Sequence, residues 1–116
     1  MIKFNQNNLD AEMVIGDTGS FSFKVNMNGT SILEDGDTVY FTIRKVIDKS
    51  IIIQKEITTF PDGICTITIE PNETKNIQDD DDNYIYDLKL VRSDGTVDSL
   101  IPNRPFAYFS LKRGVK

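Results

Sequence analysis

Ile64-Cys65-Thr66-Ile67-Thr68-Ile69-Glu70-Pro71-Asn72-Glu73-Thr74-Lys75-Asn76-Ile77 is followed, after Gln78, Asp79 to Asp82 and Asn83, by Tyr84-Ile85-Tyr86-Asp87-Leu88-Lys89-Leu90-Val91. In the first half Cys65, Ile67 and Ile69 alternate with Thr66 and Thr68. In the second half Tyr84, Tyr86, Leu88 and Leu90 alternate with Ile85, Asp87, Lys89 and Val91. A period of two turns successive side chains to opposite faces, so each half reads as a strand with one apolar face. Pro71 ends the first strand, because its ring removes a ladder N–H. The residues from Pro71 to Ile77 leave room for a short helical turn before the chain starts back.

The same rhythm extends outward from this stretch. Upstream, Phe21, Phe23 and Val25 alternate with Ser20, Ser22 and Lys24, after the turn cluster Gly16-Asp17-Thr18-Gly19 and before the turn signal Asn28-Gly29. From Thr38 to Val46, Val39, Phe41 and Ile43 take one face and Tyr40, Thr42 and Arg44 the other. Ile51 to Ile57 is rich in β-branched residues, and Phe60-Pro61-Asp62-Gly63 carries proline and glycine where a β-turn uses them. Downstream, Ser93-Asp94-Gly95-Thr96 predicts a hairpin turn, followed by strands over Val97 to Ile101 and Phe106 to Leu111. Residues 1–15 carry a weaker pattern, read as edge strands or an N-terminal arm, and 112–116 as a frayed basic tail.

About seven or eight short antiparallel strands, with turn signals every ~8–12 residues, predict one all-β domain over residues 1–116, a sandwich of immunoglobulin-like architecture. In such folds a tyrosine near the start of one central strand, two residues before a core cysteine, bonds back to upstream backbone. Tyr84 takes the place of that corner tyrosine here and Tyr86 that of the cysteine, so both are structural candidates. The tryptophan and disulfide of antibody domains are missing.

Composition narrows the chemistry. The 116 residues suffice for one core, and 39% hydrophobic with 27% charged residues is an ordinary globular balance. There are no histidines and a single cysteine, which excludes histidine-dependent catalysis, an intrachain disulfide and a thiolate metal cluster. The formal charge of −5 lacks the basic footprint of a nucleic-acid binder. The longest aliphatic run, Ile51-Ile52-Ile53, is far too short to span a bilayer, so no membrane insertion is expected. The opening residues carry no apolar segment of the kind a Sec signal peptide needs.

Asp79, Asp81 and Asn83 echo the one-three-five spacing of a calcium loop. Tyr84 then stands where that loop needs glycine, and Leu90 where it needs a bidentate glutamate. A looser calcium site between loops is the alternative to a solvated acidic loop, and the solvated loop is expected, because crowded like charges favour water. Cys65 shares a face with Ile67 and Ile69 and reads as a buried, inert thiol. Phe21, Phe23 and Phe41 lie on apolar faces and read as core, whereas Tyr40 and Tyr108 are free to touch a ligand. No catalytic residue set, resident metal or cofactor is expected, and the chain reads as non-enzymatic.

Four blocks carry a resemblance to a family: Gly16-Asp17-Thr18-Gly19-Ser20-Phe21-Ser22-Phe23, Asp37-Thr38-Val39-Tyr40-Phe41-Thr42-Ile43-Arg44-Lys45, Ile69-Glu70-Pro71-Asn72-Glu73-Thr74-Lys75-Asn76-Ile77, and Tyr84-Ile85-Tyr86-Asp87-Leu88. In order and rough spacing they resemble the small immunoglobulin-like proteins encoded in tail and baseplate gene clusters of phages and prophages of Gram-positive bacteria. The family commonly has a glycine before the tyrosine strand, where this chain has the aspartate run. The resemblance implies a virion structural or assembly protein, a homo-oligomer packed among other phage structural proteins, found in the virion or in the host cytoplasm before assembly. The alternative, from a different class, is a carbohydrate-binding or adhesion module that recognises a cell surface through Tyr40 and Tyr108.

Overall fold

A computed structural model describes residues 2–5, 8–27, 30–75, 77, 84–101 and 105–112. The structure is mostly β. In chain order its strands are β1 (Lys3–Phe4), β2 (Ala11–Val14), β3 (Gly19–Phe23), β4 (Asn26–Met27), β5 (Thr30–Ser31), β6 (Thr38–Lys45), β7 (Ile51–Ile57), β8 (Cys65–Ile69), β9 (Tyr84–Val91), β10 (Val97–Ser99) and β11 (Ala107–Lys112). A single helical turn, α1 (Pro71–Thr74), and a 3₁₀ turn (Pro61–Gly63) complete the described elements.

Seven strands form the main sheet in the order β1-β2-β11-β9-β6-β7, with β10 pairing β9 beside the end of β11. A second, two-stranded sheet pairs β3 with β8, and β4 with β5 forms a small hairpin. The prediction of antiparallel strands throughout is corrected at one place: β2 and β11 run parallel, with Ala11 beside Phe109 and Met13 beside Leu111. Alternation says which face a side chain takes but carries no strand direction, so this pairing has no signal in the sequence. The strand count also exceeds seven or eight, because ladders as short as Lys3–Phe4 show no period to detect. Within residues 1–15, β1 lies at the end of the described sheet and β2 lies inside it, between β1 and β11.

Register puts the predicted apolar faces on one side of the main sheet. Val39 pairs with Leu90, Phe41 with Leu88 and Ile43 with Tyr86, while Ala107 pairs with Tyr86 and Phe109 with Tyr84. Cys65, Ile67 and Ile69 of β8 come down onto this face and are fully buried, as are Val39, Phe41, Ile43, Phe109 and Leu111. Phe41 sits at the centre of the aromatic packing. Its ring centroid lies 5.6 Å from Phe21, 5.6 Å from Tyr86 and 6.3 Å from Phe109. Edge-to-face and tilted contacts of this kind add to the area each ring removes from water.

The crossover from β8 to β9 is fixed by α1. Pro71 opens the helical turn, where its missing N–H costs nothing. The fully buried Thr74 accepts a hydrogen bond at Oγ1 from the Gly16 N–H, 2.9 Å away, and so ties the crossover to the turn before β3. The Glu73 carboxylate accepts from the Glu70 N–H at 2.8 Å and from Lys55 Nζ at 2.6 Å, joining the crossover to β7. Burial pushes the Glu73 carboxyl up, but the Glu70 N–H and the Lys55 ammonium outweigh it and hold it below its ordinary value of 4.5. A depressed carboxyl stabilises the fold fully above that ordinary value and loses its contribution as the pH falls through the folded one. Glu73→Gln is therefore expected to cost about 1 kcal/mol at pH 7, and progressively less as the pH falls below that ordinary value. Urea denaturation across that range checks it.

No helix among the described residues is long and apolar enough to cross a membrane.

Candidate functional site

Tyr84 and Tyr86, the two structural candidates, stand on the inner face of β9 and are 2% and 1% exposed. The Tyr86 hydroxyl donates to the backbone carbonyl of Leu9, far upstream in the chain. This bond lets a polar hydroxyl lie deep in an apolar core, since a buried donor without an acceptor is costly. It also fastens the loop between β1 and β2 to the central strand.

Tyr40 and Tyr108, the candidate ligand contacts, both lie on the outer face of the main sheet. Tyr40 on β6 pairs with Lys89, and Tyr108 on β11 pairs with Ile85. Two strand spacings and four residues of rise place their Cα atoms roughly 17 Å apart. Between them on β9 lies Asp87, which pairs with Thr42, while Arg44 pairs with Ile85 in the same row as Tyr108. Thr42 is only 2% exposed although it faces outward, because its longer neighbours cover it. Gln54 Nε2 donates to its Oγ1 at 3.2 Å. Partial burial pushes the Asp87 carboxyl up, and the Arg44 and Lys89 charges offset this only in part. Tyr108 is 42% exposed and meets Phe106 edge-to-face at 5.9 Å.

Cys65, at the start of β8 and paired with Phe23, is buried, and burial alone pushes its thiol up to about 11. At neutral pH it is a thiol and not a nucleophile. Asp79, Asp81 and Asn83, the calcium candidates, lie outside the described residues. Among the described residues no group of three or more histidine, cysteine, aspartate or glutamate side chains is placed to hold a metal ion.

Two features were not anticipated from the sequence. The first is a buried carboxylate. Asp37 is 2% exposed and accepts from the N–H groups of Glu34 at 3.1 Å and Ser93 at 3.2 Å, with Arg92 Nε at 3.4 Å. It joins the turn before β6 to the hairpin after β9. In the sequence it reads as an ordinary turn aspartate.

The second feature is an apolar groove of about 540 Å³ between β3 and the main sheet. Phe21, Phe23 and Val25 form one wall, Phe4 the other, and Leu88 and Leu100 line it from β9 and the residue after β10. The cause lies in the layering: two strands cover part of a seven-stranded sheet, so the walls stay half-buried. The only signal in the sequence is the apolar face of β3, which reads equally well as core. Exposed apolar side chains also occur elsewhere, with Ile47 90%, Val97 59% and Ile51 48% exposed.

No protein-family model, curated protein or solved structure matches the chain.

Proposed function

We propose that this chain is a non-enzymatic assembly protein of a phage or prophage tail or baseplate, an immunoglobulin-like sandwich that works through protein–protein contacts. The observation that carries the proposal is the apolar groove beside β3, continuous with the half-buried aromatic wall of Phe21 and Phe23. Contiguous apolar surface of this kind is costly to leave in water and marks a place where another protein packs. Ile51, exposed on the edge strand β7, adds a second such place.

The sandwich reading is supported by strand order. The neighbours β11-β9-β6-β7 follow the G-F-C-C′ sequence of a variable-type immunoglobulin sheet, and the β3–β8 pair follows B–E. Phe41 packs between Phe21 and Tyr86, so three aromatic rings occupy the centre that a tryptophan and a disulfide fill in antibody domains. The four sequence blocks that resemble phage tail and baseplate proteins fall on β3, β6, the β8–α1 segment and β9. Sedimentation of the purified chain tests the assembly reading. Concentration-dependent oligomers are expected, and a monomer that persists at high concentration counts against it.

One observation favours a second reading, a carbohydrate-binding or adhesion module. Tyr40 and Tyr108 share the outer face with Arg44, Asp87 and Lys89, and a half-buried carboxylate whose burial cost is not fully offset is a mark of binding surfaces. The separation of the tyrosines exceeds one sugar ring and suits an oligosaccharide. On this reading a glycan array shows saturable binding, and Tyr40→Ala or Tyr108→Ala weakens it by about 1–3 kcal/mol while leaving thermal stability unchanged. Binding that survives both substitutions removes the reading.

A further inference from the structure

We propose that the free edge of β3 takes up an extended strand from a different protein of the assembly. This strand sends apolar side chains into the groove at alternate residues, shows hydroxyl-bearing side chains to solvent, and carries an acidic residue near Lys24. The inference rests on the assembly reading and names the partner chemistry of that same groove.

Backbone chemistry sets the kind of occupant. β3 pairs with β8 from Gly19 to Phe23 along one edge, and its other edge has no ladder partner among the described residues. An unpaired strand edge presents N–H and C=O groups that another extended chain satisfies, the basis of recognition by strand addition. The five residues of β3 offer roughly 17 Å of such edge.

Side-chain chemistry sets the pattern of that occupant. On the groove side Phe21 and Phe23 stand with ring centroids 6.0 Å apart, and Val25 continues the row. The opposite face of the β3–β8 ladder is polar: Ser20 Oγ lies 3.1 Å from Thr68 Oγ1, and Ser22 Oγ 2.7 Å from Thr66 Oγ1. A strand added beside β3 inherits both faces, so its residues alternate between the apolar groove and a row of hydroxyls. Among the described residues, Lys24 is the only charged one lining the groove; it is exposed at the rim and forms no ion pair there. A carboxylate on the incoming strand complements it.

A second copy fits the edge less well. Its long alternating strands, β6 and β9, are already paired on both edges in the core, and β3 and β8, which alternate apolar with hydroxyl residues and keep an open edge among the described residues, carry no acidic residue to meet Lys24. The edge strand β7 opens with three consecutive isoleucines and cannot give one apolar and one polar face there.

The test uses the full chain and a short synthetic peptide that alternates valine with threonine between terminal aspartates. A scrambled peptide with its valines contiguous is the control. Fluorescence anisotropy is expected to show saturable binding that is about tenfold weaker for the scrambled peptide. Hydrogen exchange is expected to show new protection at the Gly19 to Phe23 amides. Phe23→Glu abolishes binding. Lys24→Glu, at an exposed position that leaves the fold intact, weakens it several-fold, and a lysine-ended peptide restores it.

Equal binding of the scrambled peptide, protection elsewhere in the sheet, or indifference to Lys24→Glu overturns the proposal. So does a dimer of the unliganded chain that Phe23→Glu dissolves, since a second copy then holds the edge. Failure here differs from failure of the assembly reading: a chain present in purified particles that binds no such peptide keeps its function and loses only the strand-accepting edge.

Discussion

Phe41→Ala is expected to lower the unfolding free energy by about 3–5 kcal/mol, the largest effect of any single substitution considered for this chain. Phe41 is fully buried on a strand paired along both edges, so the backbone around it has little freedom to collapse into the space left behind. The substitution removes a large ring from an apolar site and also ends its contacts with Phe21, Tyr86 and Phe109. A domain of this size has about 5–15 kcal/mol of stability in all, so the variant is expected near the edge of folding. Phe41→Leu keeps most of the apolar volume and should cost about half as much. Tyr86→Phe gives a further calibration. It retains the ring and loses the hydroxyl bond to Leu9, at a cost of about 1 kcal/mol. Chemical denaturation of the four proteins checks the order wild type, Tyr86→Phe, Phe41→Leu, Phe41→Ala.

Asp37→Ala carries the second-largest expected effect, about 2–3 kcal/mol, although it removes almost no apolar surface. Its carboxylate gathers the Glu34 and Ser93 N–H groups and the Arg92 guanidinium. Alanine leaves both part-buried N–H groups without that acceptor and Arg92 without the carboxylate it faces, and donors that water reaches only in part are costly to leave unpaired. Arg92 retains access to water, since its side chain is 25% exposed, which keeps the loss below that of a fully buried ion pair. Asp37→Asn keeps one carbonyl oxygen and should recover about half of the loss. Gly36, at φ +94°, makes the tight approach that lets Asp37 turn inward. Its neighbourhood leaves little room, because an added Cβ would stand 3.2 Å from that of Ser93.

The sequence carries the strand pattern well where alternation is long. Val39, Phe41 and Ile43, and Tyr84, Tyr86, Leu88 and Leu90, take the core face that their period predicts, and β7 begins and ends at Ile51 and Ile57 as read. The helical turn after Pro71 follows from that proline and the few residues available. What alternation lacks is any record of strand direction or neighbour. The parallel β2–β11 pairing could not be read from it, nor could the way Tyr40 and Tyr108 come to share one outer face. Asp37 looks like any other turn aspartate until the hairpin carrying Ser93 and Arg92 folds against it. The groove is hidden for a related reason. Phe21 and Phe23 have the pattern of core residues, and only the layering shows that no third strand among the described residues covers them.

We propose that this chain is a built-in part of a phage tail or baseplate. Quantitative mass spectrometry of particles induced from a bacterium carrying the gene, purified through a density gradient, tests it most directly. The chain is expected to band with the particles, in a fixed ratio to the tail proteins, and to stay with them through salt and detergent washes. A chain recovered only from the cell lysate, with the particles complete and infectious without it, rules out the proposed role.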